Sequence, residues 1–236
     1  MLINTTYRSE KEEIMDDFLL TGETLRKALN QIAAINRFLG GNKVTLQGVK
    51  KLIQTNNTIT ILDVGCGNGD MLRFLADYGK KHHIKMQLIG IDANNFTIDY
   101  AVSISKNYTN ISYLCIDIFS KAFNEIKSDI VLCTLTLHHF KSSQIDALLQ
   151  TFVKQARIGI VINDLHRSII AYRLFQLVCL IFKLNSMSKN DGLVSILRGF
   201  KKHELLEFSK QNALQNVSIQ WKWAFRYQWI IKSNRF

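Results

Sequence analysis

Ile61-Leu62-Asp63-Val64-Gly65-Cys66-Gly67-Asn68-Gly69-Asp70 is the stretch on which the fold turns. Apolar residues of strand character run into three glycines at alternate positions, and an amphipathic helix begins at Asp70. A strand that passes to a helix through glycines marks the place where a doubly wound sheet binds a nucleotide-like ligand. Glycines at 65, 67 and 69 remove Cβ atoms from a tight turn, so the backbone can approach such a ligand closely. A dinucleotide fingerprint, G-x-G-x-x-G, would need its third glycine at position 70, which is Asp70.

Outward from this loop, short apolar runs alternate with helical spacing. Strands are predicted at Ile59–Val64, Met86–Ile91, Ile111–Ile116, Ile130–Leu135 and Ile158–Ile162, and helices at Asp70–His82, Phe96–Asn107 and Ser142–Gln155. Alternation of this kind predicts an α/β fold with a doubly wound, mostly parallel, Rossmann-like sheet covered on both faces. Upstream, Ile14, Phe18, Leu25, Leu29, Ile32, Ile35 and Leu39 recur at helical steps, with Ser9 and Glu12 as a capping box, a break at Gly22 and a stop at Gly40 and Gly41. Downstream, an apolar helix over Ser168–Leu184, a polar turn over Asn185–Gly192 and a helix over Lys201–Asn212 precede two strands, Val217–Trp221 and Ala224–Ile231. These last form an antiparallel hairpin that brings the sheet to seven strands. Three regions follow: an N-terminal helical lid (1–58), a ligand-binding core (59–163), and a cap with the hairpin (164–236).

Composition narrows the function classes. A hydrophobic content of 47% with 21% charged residues is that of a packed globular chain, not a disordered one. The start, with acidic residues from Glu10 on, has no apolar targeting segment, so the protein is expected in the cytoplasm. Ile169–Leu184 is interrupted by Arg173 and Gln176 and is shorter than the roughly 20 residues that a bilayer core demands, so no stable membrane insertion is expected. Cys66, Cys115, Cys133 and Cys179 contain no C-x-x-C pair; Cys115 and Cys133 read as small core residues, and neither disulfides nor a metal is expected. The net charge of +11 divides as +2 over residues 1–58, +1 over 59–163 and +8 over 164–236. Charge without a matching motif argues against a nucleic-acid partner, the absence of proline and the surplus of Lys, Asn and Ile having a compositional origin.

The spacing Asp63-x-Gly65-x-Gly67-x-Gly69 resembles the first motif of class I S-adenosylmethionine-dependent methyltransferases, and the resemblance covers residues 59–163. Later positions fall in the family's order. Asp92, with Ala93, ends the second strand, where the family's carboxylate accepts both ribose hydroxyls. Asp117 and Ile118 stand where the family contacts the adenine amino group and ring, and Thr134 and Leu135 where it lines the methionine end. The resemblance implies S-adenosyl-L-methionine as cofactor, S-adenosyl-L-homocysteine (SAH) as product, and Asp63, Gly65, Cys66, Gly67, Gly69, Asp92, Ala93, Asp117, Ile118, Thr134 and Leu135 as cofactor-binding residues.

The run Thr134-Leu135-Thr136-Leu137-His138-His139-Phe140 bears on the acceptor. Relatives that methylate base amino groups or glutamine usually carry a diproline motif here, and this chain has no proline. The Leu-His-His-Phe form looks like small-molecule enzymes. Methyl transfer needs alignment of acceptor and methyl group, and removal of a proton when the acceptor is a hydroxyl or an activated ring carbon. Histidine suits that step, so His139 and then His166 are the candidate catalytic bases. His138, Tyr172 and Phe175 are candidate acceptor contacts, with Phe182 on the same apolar helix, which is expected to be buried nearly all round. Arg8 and Arg37 are placed to reach the cofactor carboxylate.

Further runs, Asn163-Asp164-Leu165-His166-Arg167-Ser168, Asn190-Asp191-Gly192, Tyr7-Arg8-Ser9, Met15-Asp16 and Asn36-Arg37-Phe38-Leu39-Gly40-Gly41, resemble methyltransferases of type III polyketide synthase and aryl-polyene (flexirubin-type) pathways. That resemblance implies a phenolic or polyketide-derived acceptor. Two alternatives stand beside it. One is an RNA or tRNA methyltransferase using the basic C-terminal third with Trp221, Trp223, Phe225 and Tyr227, although strand alternation would pack those aromatics and solvate Lys222 and Arg226. The other is a methyltransferase-like scaffold without turnover. The sequence leaves the oligomeric state open, monomer or homodimer.

Overall fold

In a computed structural model, residues 3–53 and 57–233 are described. The parallel part of the sheet is β1 (Ile59–Val64), β2 (Met86–Asp92), β3 (Ile111–Cys115), β4 (Ser128–Thr134) and β5 (Ala156–Leu165), and the antiparallel part is β6 (Val217–Lys222) and β7 (Arg226–Lys232). The strand order is β3-β2-β1-β4-β5-β7-β6. β7 is thus an interior strand, antiparallel to β5 through pairs such as Asn163 with Gln228, and β6 is the edge.

Helices cover both faces. These are α1 (Glu23–Phe38), α2 (Gly41–Leu52), α3 (Asp70–His82), α4 (Asn95–Ile104), the short α5 (Lys121–Asn124), α6 (Ser142–Gln155), α7 (Ile169–Ile181), α8 (Ser186–Arg198) and α9 (Lys202–Gln211). Alternation along β4 divides the core. Ile130 and Leu132 join Val49, Leu52, Leu72 and Leu75 on one face, while Val131 and Cys133 join Leu148, Phe152, Phe208 and Trp229 on the other. Burial of both faces is why these strands read as unbroken apolar runs.

Several expectations are corrected. Residues 9–21 form no helix beyond a single 3-10 turn at Ile14–Asp16. Buried Asp191 accepts the N–H groups of Ile14 (2.8 Å) and Met15 (3.0 Å), and Asp16 accepts that of Glu13 (2.9 Å), so side chains satisfy donors that a helix would have used. α2 was not marked in the sequence. It packs on the sheet rather than over its end, and Gly48 allows this because a Cβ there would stand 2.5 Å from Val161 Cγ1. The polar segment Asn185–Gly192 is not a turn but the first half of α8, with the Asn185 side chain accepting from Ser188 N at 2.7 Å as N-cap.

α7 is not buried all round: Ala171 and Cys179 face inward, while Leu180 and Ile181 are 70% and 74% exposed. Cys115 is exposed because β3 is an edge strand. The hairpin departs from its expected pattern in part, although Tyr227 is buried as expected. Trp221 and Trp223 are exposed, and Arg226 is only 3% exposed, because both faces of interior β7 are covered.

Candidate active site

The carboxyl ends of β1, β2, β4 and β5 open into one cavity of about 1370 Å³. Ligand pockets usually measure roughly 300–1,000 Å³, so this space suits a cofactor with an acceptor beside it. Asp63, Gly65, Cys66, Gly67, Asp92, Ala93, Asp117, Ile118, Thr134, Leu135, His138, His139, His166 and Phe175 line it. Gly69 and Tyr172 do not. Gly69 instead caps α3 at φ +74°, and Phe175 reaches the cavity across Gly192, where a Cβ would meet its ring at 2.3 Å. Phe182 packs edge-on against Phe38.

Backbone builds one end of the cavity. Gly65 and Cys66 both donate their N–H to Ile91 O at 2.9 Å, and Gly67 donates to Asp92 Oδ2 at 3.1 Å. The other Asp92 oxygen accepts from Asn94 N at 3.0 Å, which leaves each oxygen a further lone pair. Gly65 has φ +70°, and a Cβ there would lie 2.4 Å from Thr136 Cγ2. At Gly67, with φ +52°, a Cβ would make only an ordinary contact, with Leu29 Cδ2 at 3.8 Å. Burial, reinforced by the Asp92 charge, pushes Asp63 up to about 7, and burial likewise raises Asp92. Two buried acids that form no ion pair with the described residues, next to a glycine cradle, fit a positively charged nucleoside.

Side chains build the other end. His138 is buried, with Nδ1 at 2.7 Å from Asp164 Oδ1 and Nε2 at 3.5 Å from Glu13 Oε1. Burial alone would lower its pKa, but Asp164 and Glu13 together raise it to about 9. The neighbouring His139 points Nδ1 at Asp16 Oδ1, 2.5 Å away, and stacks on His138 with centroids 4.3 Å apart. Against its burial, Asp16 is held well below the usual carboxylate range by His139 and by Arg198, whose Nη1 donates to it at 2.7 Å. Arg198 also donates to the carbonyls of His138 and His139, and Arg8 donates to those of His138 (3.0 Å) and Phe140 (2.9 Å). Arg8 therefore fixes the histidine turn, and Arg37 is paired with Asp70.

His166 is held differently. Its Nδ1 accepts from Trp221 Nε1 at 3.2 Å, and burial and Arg167 lower its pKa. Glu13, His138 and His139 together bring three ligand atoms within 4.8 Å of one another, a donor set that a divalent ion could use. The imidazolium of His138, between two carboxylates, already supplies the positive charge there.

Sequence reasoning did not assign roles to Glu13, Asp16, Asp164 or Arg226. Asp16, Asp164 and Arg226 stood within stretches quoted for other reasons, and Glu13 gave no signal.

Residues 61–159 match the family model of a methyltransferase domain. That match covers 99 of the 236 residues, from β1 into β5. The fold is that of solved methyltransferases to which the chain is similar. The plantazolicin methyltransferase BpumL, in complex with a triazolic desmethylPZN analog and SAH, superposes with a TM-score of 0.64 at 19% identity, over 89% of this chain and 90% of that one. An O-methyltransferase family protein from Burkholderia thailandensis gives 0.60 at 13%, over 87% and 58%. The CurJ carbon methyltransferase gives 0.59 at 12%, over 81% and 53%, so this chain spans about half the length of that protein. No curated protein matches the sequence. No helix among the described residues is long and apolar enough to cross a membrane.

Proposed function

We propose that the protein transfers the methyl group of S-adenosylmethionine to a small apolar or aromatic acceptor, of phenolic or polyketide-derived kind, with His139 as general base. The observation that carries this reading is the Asp16–His139 pair inside the cavity that the glycine loop shares.

Asp92 would hold the ribose, Asp117 and Ile118 the adenine, and the Gly65–Gly67 backbone with Thr134 and Leu135 the methionine end. The sulfonium supplies an activated methyl group and a good leaving group for an in-line displacement. The chain's own residues orient the acceptor and take its proton. With Nδ1 against Asp16, the neutral form of His139 would offer Nε2 as the proton acceptor, and the carboxylate would steady the imidazolium that forms. His138 keeps its proton between Asp164 and Glu13 and holds the turn on which His139 stands. His166 is not assigned this step: accepting the Trp221 N–H at Nδ1 puts its own proton on Nε2, so no ring lone pair is free. Phe175, Leu174, Val178 and Phe140 supply an apolar wall for the acceptor.

The test is His139→Ala. Turnover is expected to fall at least about 100-fold, the ordinary worth of a general base, with SAH affinity by calorimetry little changed. Near-normal turnover removes His139 from the chemistry.

A further inference from the structure

Among the described residues three arginines are buried, and two of them are fully answered. Arg167 meets Glu204 Oε1 at 2.6 Å and donates to the carbonyls of Thr5, Thr6 and Gly199. Arg198 meets Asp16 and two carbonyls of the histidine turn. Arg226 lines the cavity, and its Nε and Nη1 are buried with no hydrogen-bond partner among the described residues. Asp164 is the one carboxylate acting on it, and that charge is committed to His138 at 2.7 Å. Burial lowers the guanidinium pKa to about 10, so it stays charged at neutral pH.

A buried, unanswered cation is costly, and a side chain of this type normally shifts or finds a partner. Its surroundings deepen the positive potential. Gly41 packs so closely that a Cβ there would stand 3.0 Å from Arg226 Cζ, which sets the start of α2 beside the guanidinium. The N-cap of α2 is Gly40 and offers no side-chain acceptor, so the partial positive charge of that helix end is not cancelled by a cap.

Position in the sheet identifies the end of the cavity. The adenosine residues stand on β2 and after β3, whereas Arg226 begins β7, paired with Leu165 of β5. β2 and β7 are four strand steps apart, roughly 19 Å at about 4.8 Å per step. From these observations, and resting on the methyl-transfer reading above, we propose that Arg226 is the anion-binding residue of the acceptor subsite and that the acceptor carries a carboxylate. The planar fork of a guanidinium matches two carboxylate oxygens, and the cavity's apolar wall takes the rest of the molecule.

The experiment is calorimetry on SAH-saturated protein with 4-hydroxybenzoate and its neutral isostere 4-hydroxybenzamide as probes. The wild type is expected to bind the acid about tenfold or more tighter, as a charge-assisted hydrogen bond allows. Arg226→Met is expected to bind the two alike, Arg226→Lys to keep an intermediate preference, and the ligand-free Arg226→Met protein to melt no lower than the wild type. Lack of acid preference in the wild type, including failure of both probes to bind, overturns the proposal. A lower melting temperature in Arg226→Met with unchanged probe binding also overturns it, in favour of a structural arginine. If Arg226→Met weakens SAH but not 5′-methylthioadenosine, which lacks the amino-acid carboxylate, the anion is the cofactor's and the acceptor assignment falls. SAH titration of the wild type is done first: absence of binding there defeats the methyl-transfer reading, while the acid preference is still read on the free protein.

Discussion

The two ends of the cavity are built by opposite means. Over β1 and β2 the wall is backbone: two glycines, two amides on one carbonyl, and a carboxylate that ties the loop to the next strand, all within residues 61–94. Over β4, β5 and β7 the wall is a charge network, in which Arg198 reaches Asp16 across 182 positions and Asp164 reaches His138 across 26. A backbone site tolerates change in few residues but is local. A charge network recruits distant segments and holds only while each protonation state is right.

The largest effect that would sharpen this contrast is expected at Gly65. Gly65→Ala asks a residue with a side chain to keep φ +70° and to place a methyl 2.4 Å from Thr136. Left-handed strain of about 1–2 kcal/mol and overpacking of about 1–3 kcal/mol together predict a loss of roughly 2–5 kcal/mol. Chemical denaturation measures the stability, and calorimetry is expected to show SAH binding lost or severely weakened. If the variant binds SAH normally, the backbone end is less constrained than its geometry requires.

A pH series probes the other end. The folded pKa of His138, about 9, lies above the ordinary 6.5, so its contribution is fully present below about 6.5 and is lost as pH rises through about 9. The loss is on the order of 3 kcal/mol. It is expected as a fall in unfolding free energy across that window, absent in His138→Gln. A flat profile in the wild type would mean that the imidazolium does not hold the acceptor end together.

How much of this was legible follows from the same contrast. Asp70–His82 and Ser142–Gln155 were read to the residue, and all seven strands within two or three, because each rests on local periodicity. The glycine loop was legible because its chemistry lies in consecutive residues. The Asp16–His139 and His138–Asp164 pairs were not, because nothing near Asp16 in sequence reveals which histidine it will meet. The helix expected from Ser9 failed for the same reason: Asp191, from α8, takes the donors that would have begun it. α7 misled because apolar residues on every side suggested burial, whereas Leu180 is exposed and Ile181 lines the open cavity.

Each end also leaves one buried charge without a protein counterpart, Arg226 at one and Asp63 at the other, and the latter gives the smallest effect. Asp63 makes no hydrogen bond or ion pair with the described residues, and burial beside Asp92 raises its pKa to about 7. A cationic ligand favours the ionised acid, so the free protein must release a proton near neutrality when S-adenosylmethionine binds. Affinity is therefore expected to rise about tenfold between about pH 6 and about pH 8, following the ionised fraction of a single group. The binding enthalpy should vary with the ionisation heat of the buffer in the same range. Asp63→Asn should flatten both dependences, whereas His138→Gln, acting at the far end, should leave them in place. A wild-type affinity independent of pH would show that Asp63 is already ionised, and the backbone end would then carry no charge waiting for its ligand.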